Sequence, residues 1–296
     1  MAYEFNYSEF IMSTLLSPRR SLLFTPANRP ALFAKALLSG ADMVCVDLED
    51  AVAADQKASS RTEAFAFLAA GNTGFPERSV RINSPQTDAG QADLQALRQS
   101  GLQQGTLLVP KVESAEEVTR LIADLAQISM NLRLAVLIES AIGIENIYTI
   151  VKAAPRLDFV MFGGVDLAAE LGTRVAPEPL AYARSRLVYA ARHAKIDVLD
   201  MPCLDFRNAE VVRQDAELAR LLGFNGKAVI HPANVATINT AFTPTDAELD
   251  EARRIVDAYQ NSTTGVAVVD GKVVEKPVVM AMELVLASGL AAKPGS

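Results

Sequence analysis

Glu139 closes one apolar run, Leu134-Ala135-Val136-Leu137-Ile138-Glu139-Ser140, and Asp166 closes the next, Phe159-Val160-Met161-Phe162-Gly163-Gly164-Val165-Asp166. Hard oxygen ligands at two neighbouring strand ends suit Mg²⁺, which takes one or two carboxylates and fills its octahedron with water and substrate. Polar residues also close other apolar runs: Asp47-Leu48-Glu49-Asp50, Arg81-Ile82-Asn83, Pro110-Lys111, and Lys227 with His231-Pro232. A single acid at such a place serves equally well as a helix N-cap. A ring of them is what the mouth of a parallel barrel collects.

The elements that must position these residues repeat along the chain. Strand-like runs are expected at Ser21–Pro26, Met43–Leu48, Ser79–Asn83, Thr106–Lys111, Leu134–Ser140, Phe159–Gly163, Val198–Cys203 and Lys227–His231. Most of them are continuous apolar runs, which fits strands buried on both faces. Between them, Pro30–Leu38, Asp55–Ala70, Ala89–Ser100, Ala115–Ile128, Pro179–Ala194 and Asn208–Leu222 show apolar residues at three- and four-residue spacing, which predicts helices. The alternation predicts an α/β fold, a (β/α)₈ TIM barrel over residues 19–243, after an N-terminal extension at 1–18. A doubly wound open sheet is disfavoured because no Gly-rich fingerprint opens the first βα turn.

Residues 244–296 break the rhythm. Pro244–Asn261 reads as a helix capped by Thr245 or Asp246, and Val278–Leu290 reads as another. Between them Asp270-Gly271, flanked by alternating apolar residues, predicts a tight hairpin. This helix–hairpin–helix appendage follows a closed barrel, so it is expected to cover something or to pack on a neighbouring subunit.

Composition narrows the function classes. The chain has 296 residues, half of them hydrophobic, and a net charge of −7. That balance argues against a general nucleic-acid binder. No apolar run is long enough to span a membrane, and residues 1–17 carry no basic start followed by an apolar core. No signal peptide is expected, and a cytoplasmic enzyme is. Cys45 and Cys203 both sit in apolar runs and read as buried free thiols. The two histidines, His193 and His231, give no basis for a Ser-His-Asp hydrolase or a His-rich zinc site.

Taken in order, the motifs resemble the citrate lyase β-subunit family, relatives of malyl-CoA and citramalyl-CoA lyases within the HpcH/HpaI aldolase superfamily. They are Arg20-Ser21-Leu22-Leu23-Phe24-Thr25-Pro26-Ala27; Asp47-Leu48-Glu49-Asp50-Ala51-Val52 with Lys57 and Arg61; Val80-Arg81-Ile82-Asn83; Pro110-Lys111; Ile138-Glu139-Ser140; Phe162-Gly163-Gly164-Val165-Asp166; Gly226-Lys227 with Ile230-His231-Pro232; and Asp270-Gly271-Lys272. The resemblance runs from about residue 19 to residue 290. It implies a trimeric or hexameric barrel that splits a small 3-hydroxyacyl-CoA into acetyl-CoA and a 2-oxo acid by a retro-Claisen reaction. (S)-Citramalyl-CoA is the favoured substrate, with malyl-CoA and citryl-CoA beside it.

Residue roles follow from the same resemblance. Glu139 and Asp166 are the implied Mg²⁺ ligands, with Mn²⁺ as the alternative ion. Arg81 is placed to stabilise the thioester enolate, which suits a guanidinium because it stays charged and offers several donors. Asp47 or Glu49 is expected to orient Arg81. For Asp47 a plain salt bridge is the competing reading, and for Glu49 and Asp50 it is contact with metal-bound water. The hairpin acid matching the family's Asp is Glu275, read either as the proton donor to the enolate carbon or as an exposed charge. Arg20, Arg29 and His231 are the candidates for the CoA thioester, each with a solvated or backbone-bonded alternative. Three other activities stay open: a β-subunit acting on an acyl-carrier-protein thioester within a citrate lyase complex, a CoA-independent metal aldolase, and thioester hydrolysis at the same site.

Overall fold

The computed structural model describes residues 18–71, 75–153 and 157–291, so the expectations for residues 1–17 lie outside the described residues. Eight parallel strands close a barrel in sequence order: β1 Ser21–Pro26, β2 Met43–Asp47, β3 Glu77–Arg81, β4 Gln104–Val109, β5 Asn131–Ile138, β6 Leu157–Phe162, β7 Asp197–Asp200 and β8 Gly226–Val229. β8 returns to β1 with Lys227 opposite Ser21 and Val229 opposite Leu23. The expected barrel is therefore present, with strand ends displaced by a few residues. Asn83, Lys111 and His231 lie beyond the ladders, in the loops of the mouth.

The pleat explains how one barrel is both packed and reactive. Alternate residues of a strand point to one face. Met43, Cys45, Ala135, Leu137, Phe159 and Met161 fill the interior. Two residues further along the same faces come Asp47 on β2 and Glu139 just past β5. The alternation that builds the core thus delivers carboxylates at its top.

Helices occur at Phe33–Leu37, Lys57–Ala69, Asp88–Gln99, Ala115–Ile128, Pro177–Ala194 and Ala209–Leu222, close to the expected places. Thr87, Ser114 and Asn208 cap three of them by accepting from Gly90, Glu117 and Val211 backbone N–H groups. Ala141–Ala153, Gly164–Glu170 and Val235–Phe242 were not among the expected helices. The first is rich in β-branched isoleucine, which lowers intrinsic helix preference. Burial of Ile144, Ile147, Ile150 and Val151 along one face overrides that preference.

The N-terminal face of the barrel is sealed by ion pairs, which corrects one expectation. Arg20 precedes β1 and is bound in a fork by Asp42, which precedes β2, through Nε–Oδ2 and NH2–Oδ1 contacts of 2.8 Å each. It lies at the end opposite the mouth and is not placed to meet a thioester there. Arg19 likewise pairs with Glu77, Asp158 and Asp197. Conserving fold stability is the usual office of that face. Cys203 is a second correction. It lies three residues past β7, is only partly buried, and carries a free thiol, as does the fully buried Cys45.

Contacts divide the chain into a unit spanning Arg19–Asn239 and a second unit that takes in Thr240 onward. The second contains the helix Asp246–Gln260, an antiparallel hairpin of β9 Ala267–Val269 and β10 Lys272–Val274, and the helix Lys276–Ala291. Thr245 and Glu248 form a reciprocal capping box. Lys272 pairs with Val269, leaving Asp270 and Gly271 as the two-residue loop, both with positive φ (51° and 75°). Ile255, Val256, Val274 and Val279 make its small core. Among the described residues, no helix is long and apolar enough to cross a membrane.

Candidate active site

A cleft of about 420 Å³ opens at the barrel mouth, and Asp47, Arg81, Glu139 and Asp166 all line it. Phe24, Met161, Phe162 and Met201 supply its apolar walls. Sequence-distant residues are brought together here because every one of them follows, or ends, a parallel strand.

Arg81 is the most tightly held group. Its Nε donates to Asp47 Oδ1 at 2.7 Å and NH2 to Asp47 Oδ2 at 2.6 Å. This two-pronged geometry fixes the guanidinium plane. NH1 lies 2.9 Å from Glu49 Oε2, a charge contact without hydrogen-bond alignment, and 3.3 Å from Asp50. The guanidinium also stands 5.0 Å from the Phe24 ring centroid. Burial works against the cation, but the Asp47 hydrogen bonds and the charges of Asp47, Glu49 and Asp50 outweigh it, so the Arg81 pKa lies above its ordinary value. Glu49 bridges Arg81 to Lys111, whose Nζ is 3.2 Å from Glu49 Oε1, and burial raises its carboxyl against the pull of both cations.

Glu139 is nearly inaccessible, at 4% exposure. Burial first, then the charges of Glu49 and Asp166, push its carboxyl up to about 8. Its Oε1 accepts from the Lys111 backbone N–H at 2.9 Å. Lys111 reaches that position with a left-handed φ of 57°, a conformation unusual for a residue with a side chain. Gly163 makes the remaining room. A Cβ there would stand 2.3 Å from Glu139 Cβ and 2.8 Å from Oε2. Asp166 corrects a sequence expectation: it does not close β6 but lies four residues past Phe162, in the first turn of the helix Gly164–Glu170.

Lys57 was singled out only as part of a motif, and the structure gives it a clear structural task. Its Nζ donates to the backbone oxygens of Leu48 and Glu49 and to Asn83 Oδ1 at 2.6–2.8 Å. Asn83 in turn donates to Asp93, which Arg61 holds at 2.5 Å. This chain of contacts ties the loop after β2 to the loop after β3, the two loops that frame Arg81. Arg61 stands four residues after Lys57, one helical turn, which is the signal that pairs them.

The other expected residues are dispersed. Arg29 is exposed in the loop after β1. His231 is exposed, stacks on Phe206 at 5.5 Å, and accepts from the Ala233 backbone N–H, so its ring serves as a cap. Glu275 is exposed between β10 and the last helix, in the second unit.

The donor set fits a small hard cation. Among the described residues no group of three or more His, Cys, Asp or Glu gathers as a metal cluster. The two carboxylates Glu139 and Asp166 face one cleft, and Gly163 leaves Glu139 space that any side chain would fill. Mg²⁺ needs no more protein ligands than this. Zinc or copper sites, which call for imidazole or thiolate, have no counterpart in the cleft.

These features are those of a carbon–carbon lyase barrel, and sequence comparison agrees. The HpcH/HpaI aldolase/citrate lyase family model matches residues 20–232. The chain belongs to that family. It is 37% identical over 266 residues to a (3S)-malyl-CoA thioesterase of Cereibacter sphaeroides, covering 87% of this chain and 90% of that protein. It is 33% identical over 287 residues to an L-malyl-CoA/beta-methylmalyl-CoA lyase of the same species, covering 87% and 90%. Among solved structures, it is similar to the protein CitE of Mycobacterium tuberculosis in complex with magnesium, acetoacetate and coenzyme A. The TM-score is 0.79 and the identity 29%, over 93% of this chain and 99% of that one.

Proposed function

We propose that this protein cleaves a small 3-hydroxyacyl-CoA, (S)-citramalyl-CoA first among them, to acetyl-CoA and a 2-oxo acid. The observation that carries this reading is the meeting in one cleft of a cation, Arg81 clamped by Asp47, with two carboxylates able to hold a second one, Glu139 and Asp166. A retro-Claisen cleavage sends the electrons of the breaking C–C bond onto the thioester oxygen, while the hydroxyl gives its proton to solvent and becomes a carbonyl. Each end of that change needs its own electrophile.

Glu139 and Asp166 would hold Mg²⁺, which when bound polarises the oxygen that becomes the oxo-acid carbonyl. Arg81 donates hydrogen bonds to the thioester oxygen as it takes up charge. Asp47 is a positioning residue that keeps the guanidinium plane aimed, and Glu49 adds a charge contact to Arg81 and to Lys111. Glu275, brought by a neighbouring subunit in a trimer or hexamer, returns a proton to the enolate carbon. Arg29 and His231 lie on the mouth side and remain the residues for the CoA portion. The apolar wall formed by Phe162, Met161 and Met201 suits the methyl group of a pyruvate half better than a second carboxylate.

The test follows acetyl-CoA and pyruvate from (S)-citramalyl-CoA with Mg²⁺, with malyl-CoA and citryl-CoA in parallel. Release that is abolished by EDTA and by Glu139→Gln supports the reading, and release from none of the three overturns it. Glu275→Gln should lower turnover and spare thioester binding. The similarity to a malyl-CoA thioesterase favours one second reading, hydrolysis after or instead of cleavage. Free CoA and a hydroxy acid, rather than acetyl-CoA, would report it.

A further inference from the structure

The active-site cleft adjoins a second cavity of about 490 Å³, set among the helices Pro177–Ala194 and Ala209–Leu222 and the loop after β7. Val175, Leu180, Cys203 and Leu218 give it apolar walls. Among the described residues, Met201 alone lines both spaces. It stands one residue beyond the end of β7, so no strand ladder pins it, and it is only partly buried.

Its neighbours show a layered arrangement. A Cβ on Gly164 would stand 2.4 Å from Met201 Sδ and 3.2 Å from Leu180 Cδ1. The thioether therefore rests against a backbone that carries no side chain, two residues before Asp166, with a wall residue of the second cavity beside it. β7 is four strands from β3 in the closed order, directly across the barrel from Arg81. Met201 lines the cleft together with Arg81, Glu139 and Asp166, so it is one of the walls that bound an oxo-acid branch there.

We propose that Met201 is a movable partition that sets the length of the oxo-acid branch: its side chain swings into the second cavity when the branch is longer than the methyl of pyruvate. This rests on the lyase reading above and names the substrate range of that site. Methionine is suited to the task because its unbranched thioether adapts to irregular space with little rotamer penalty. A closed pocket discriminates one methylene by about 10- to 200-fold. A wall that yields into an existing cavity flattens that dependence.

The experiment uses the full-length protein with Mg²⁺, acetyl-CoA and a series of 2-oxo acids: glyoxylate, pyruvate, 2-oxobutanoate and 2-oxopentanoate. Condensation kcat/KM is measured for each, and the Kd of each oxo acid by calorimetry. Met201→Ala should raise the 2-oxopentanoate to pyruvate ratio by about 10-fold or more, and Met201→Phe, too stiff to swing, should lower it. Leu218→Phe narrows the second cavity without lining the cleft, and added to Met201→Ala it should reduce the gain. Ratios within about twofold of wild type in both Met201 variants overturn the proposal. So does a gain that Leu218→Phe leaves undiminished, which would mean simple widening of the cleft. If the wild-type protein neither condenses any of these oxo acids nor cleaves any of the three thioesters above, the lyase reading fails, and the calorimetric ratios still decide the partition.

Discussion

Arg81 and Asp47 are joined by two parallel contacts of 2.7 and 2.6 Å, on adjacent strands whose register places the two residues opposite one another. Neither residue is free to turn without breaking the other's geometry. The guanidinium plane in the cleft is therefore fixed by backbone pairing, one level below any side-chain choice.

Asp47→Asn should keep the fold and misaim Arg81. A misplacement of about 1 Å costs on the order of 100-fold in rate, so kcat should fall by about that factor while Mg²⁺ binding is unchanged. Arg81→Lys keeps the charge and loses the fork, and should fall as far or further. Steady-state kinetics beside magnesium calorimetry separate the two effects.

Glu139 makes stability and metal binding depend on pH. Burial and the charges of Glu49 and Asp166 raise its carboxyl from 4.5 to about 8. Without metal the folded protein therefore binds more protons than the unfolded chain between these values. Its contribution to stability is present at low pH and is lost as pH rises through about 8. The urea midpoint of EDTA-treated protein should fall from pH 6 to pH 9, and Glu139→Gln should flatten the fall. Mg²⁺ must displace that proton, so its affinity should rise over the same range, with proton release visible in buffers of different ionisation enthalpy.

Gly163→Ala tests the space around Glu139. The added carbon would stand 2.3 Å from Glu139 Cβ, a distance no packed structure tolerates, so the carboxylate must move. Mg²⁺ affinity should drop by about 10- to 100-fold, the range found when the support of a metal ligand is lost. Calorimetry reads the affinity, and circular dichroism checks that the barrel persists.

Arg20 and Arg29 should separate cleanly. Arg20→Ala breaks a half-buried fork with Asp42 at the barrel's N-terminal face and should lower stability by about 1–3 kcal/mol with little change in KM. Arg29→Ala touches no ion pair among the described residues and should raise KM for a CoA thioester while leaving the urea midpoint in place. The reverse pattern would return Arg20 to the thioester site.

Much of this protein is written locally. Apolar runs such as Met43-Val44-Cys45-Val46 fit strands covered on both faces, and eight short runs alternating with amphipathic helices leave few folds besides a barrel. Asp270-Gly271 names its own turn, because positive φ at both loop positions is a property of the dipeptide. Glu139 and Arg81 are legible as site candidates for the same reason, since chain direction alone places the ends of parallel strands at one mouth. Arg20 is misassigned to the thioester from the same runs, although its place before β1 puts it at the opposite end, on Asp42. Other features had no local sign. Asp166 sits on a helix because burial of Leu167 and Ala168 starts that helix two residues earlier than the apolar run suggests. His231 became a cap through a backbone turn, and the Lys57–Asn83–Asp93 chain joins residues on three separate elements. The second cavity behind Met201 exists only as the space two helices fail to fill. Periodicity and turn chemistry act over a few residues and can be read along the chain. Distances between side chains on different elements depend on packing, which the closed barrel alone decides.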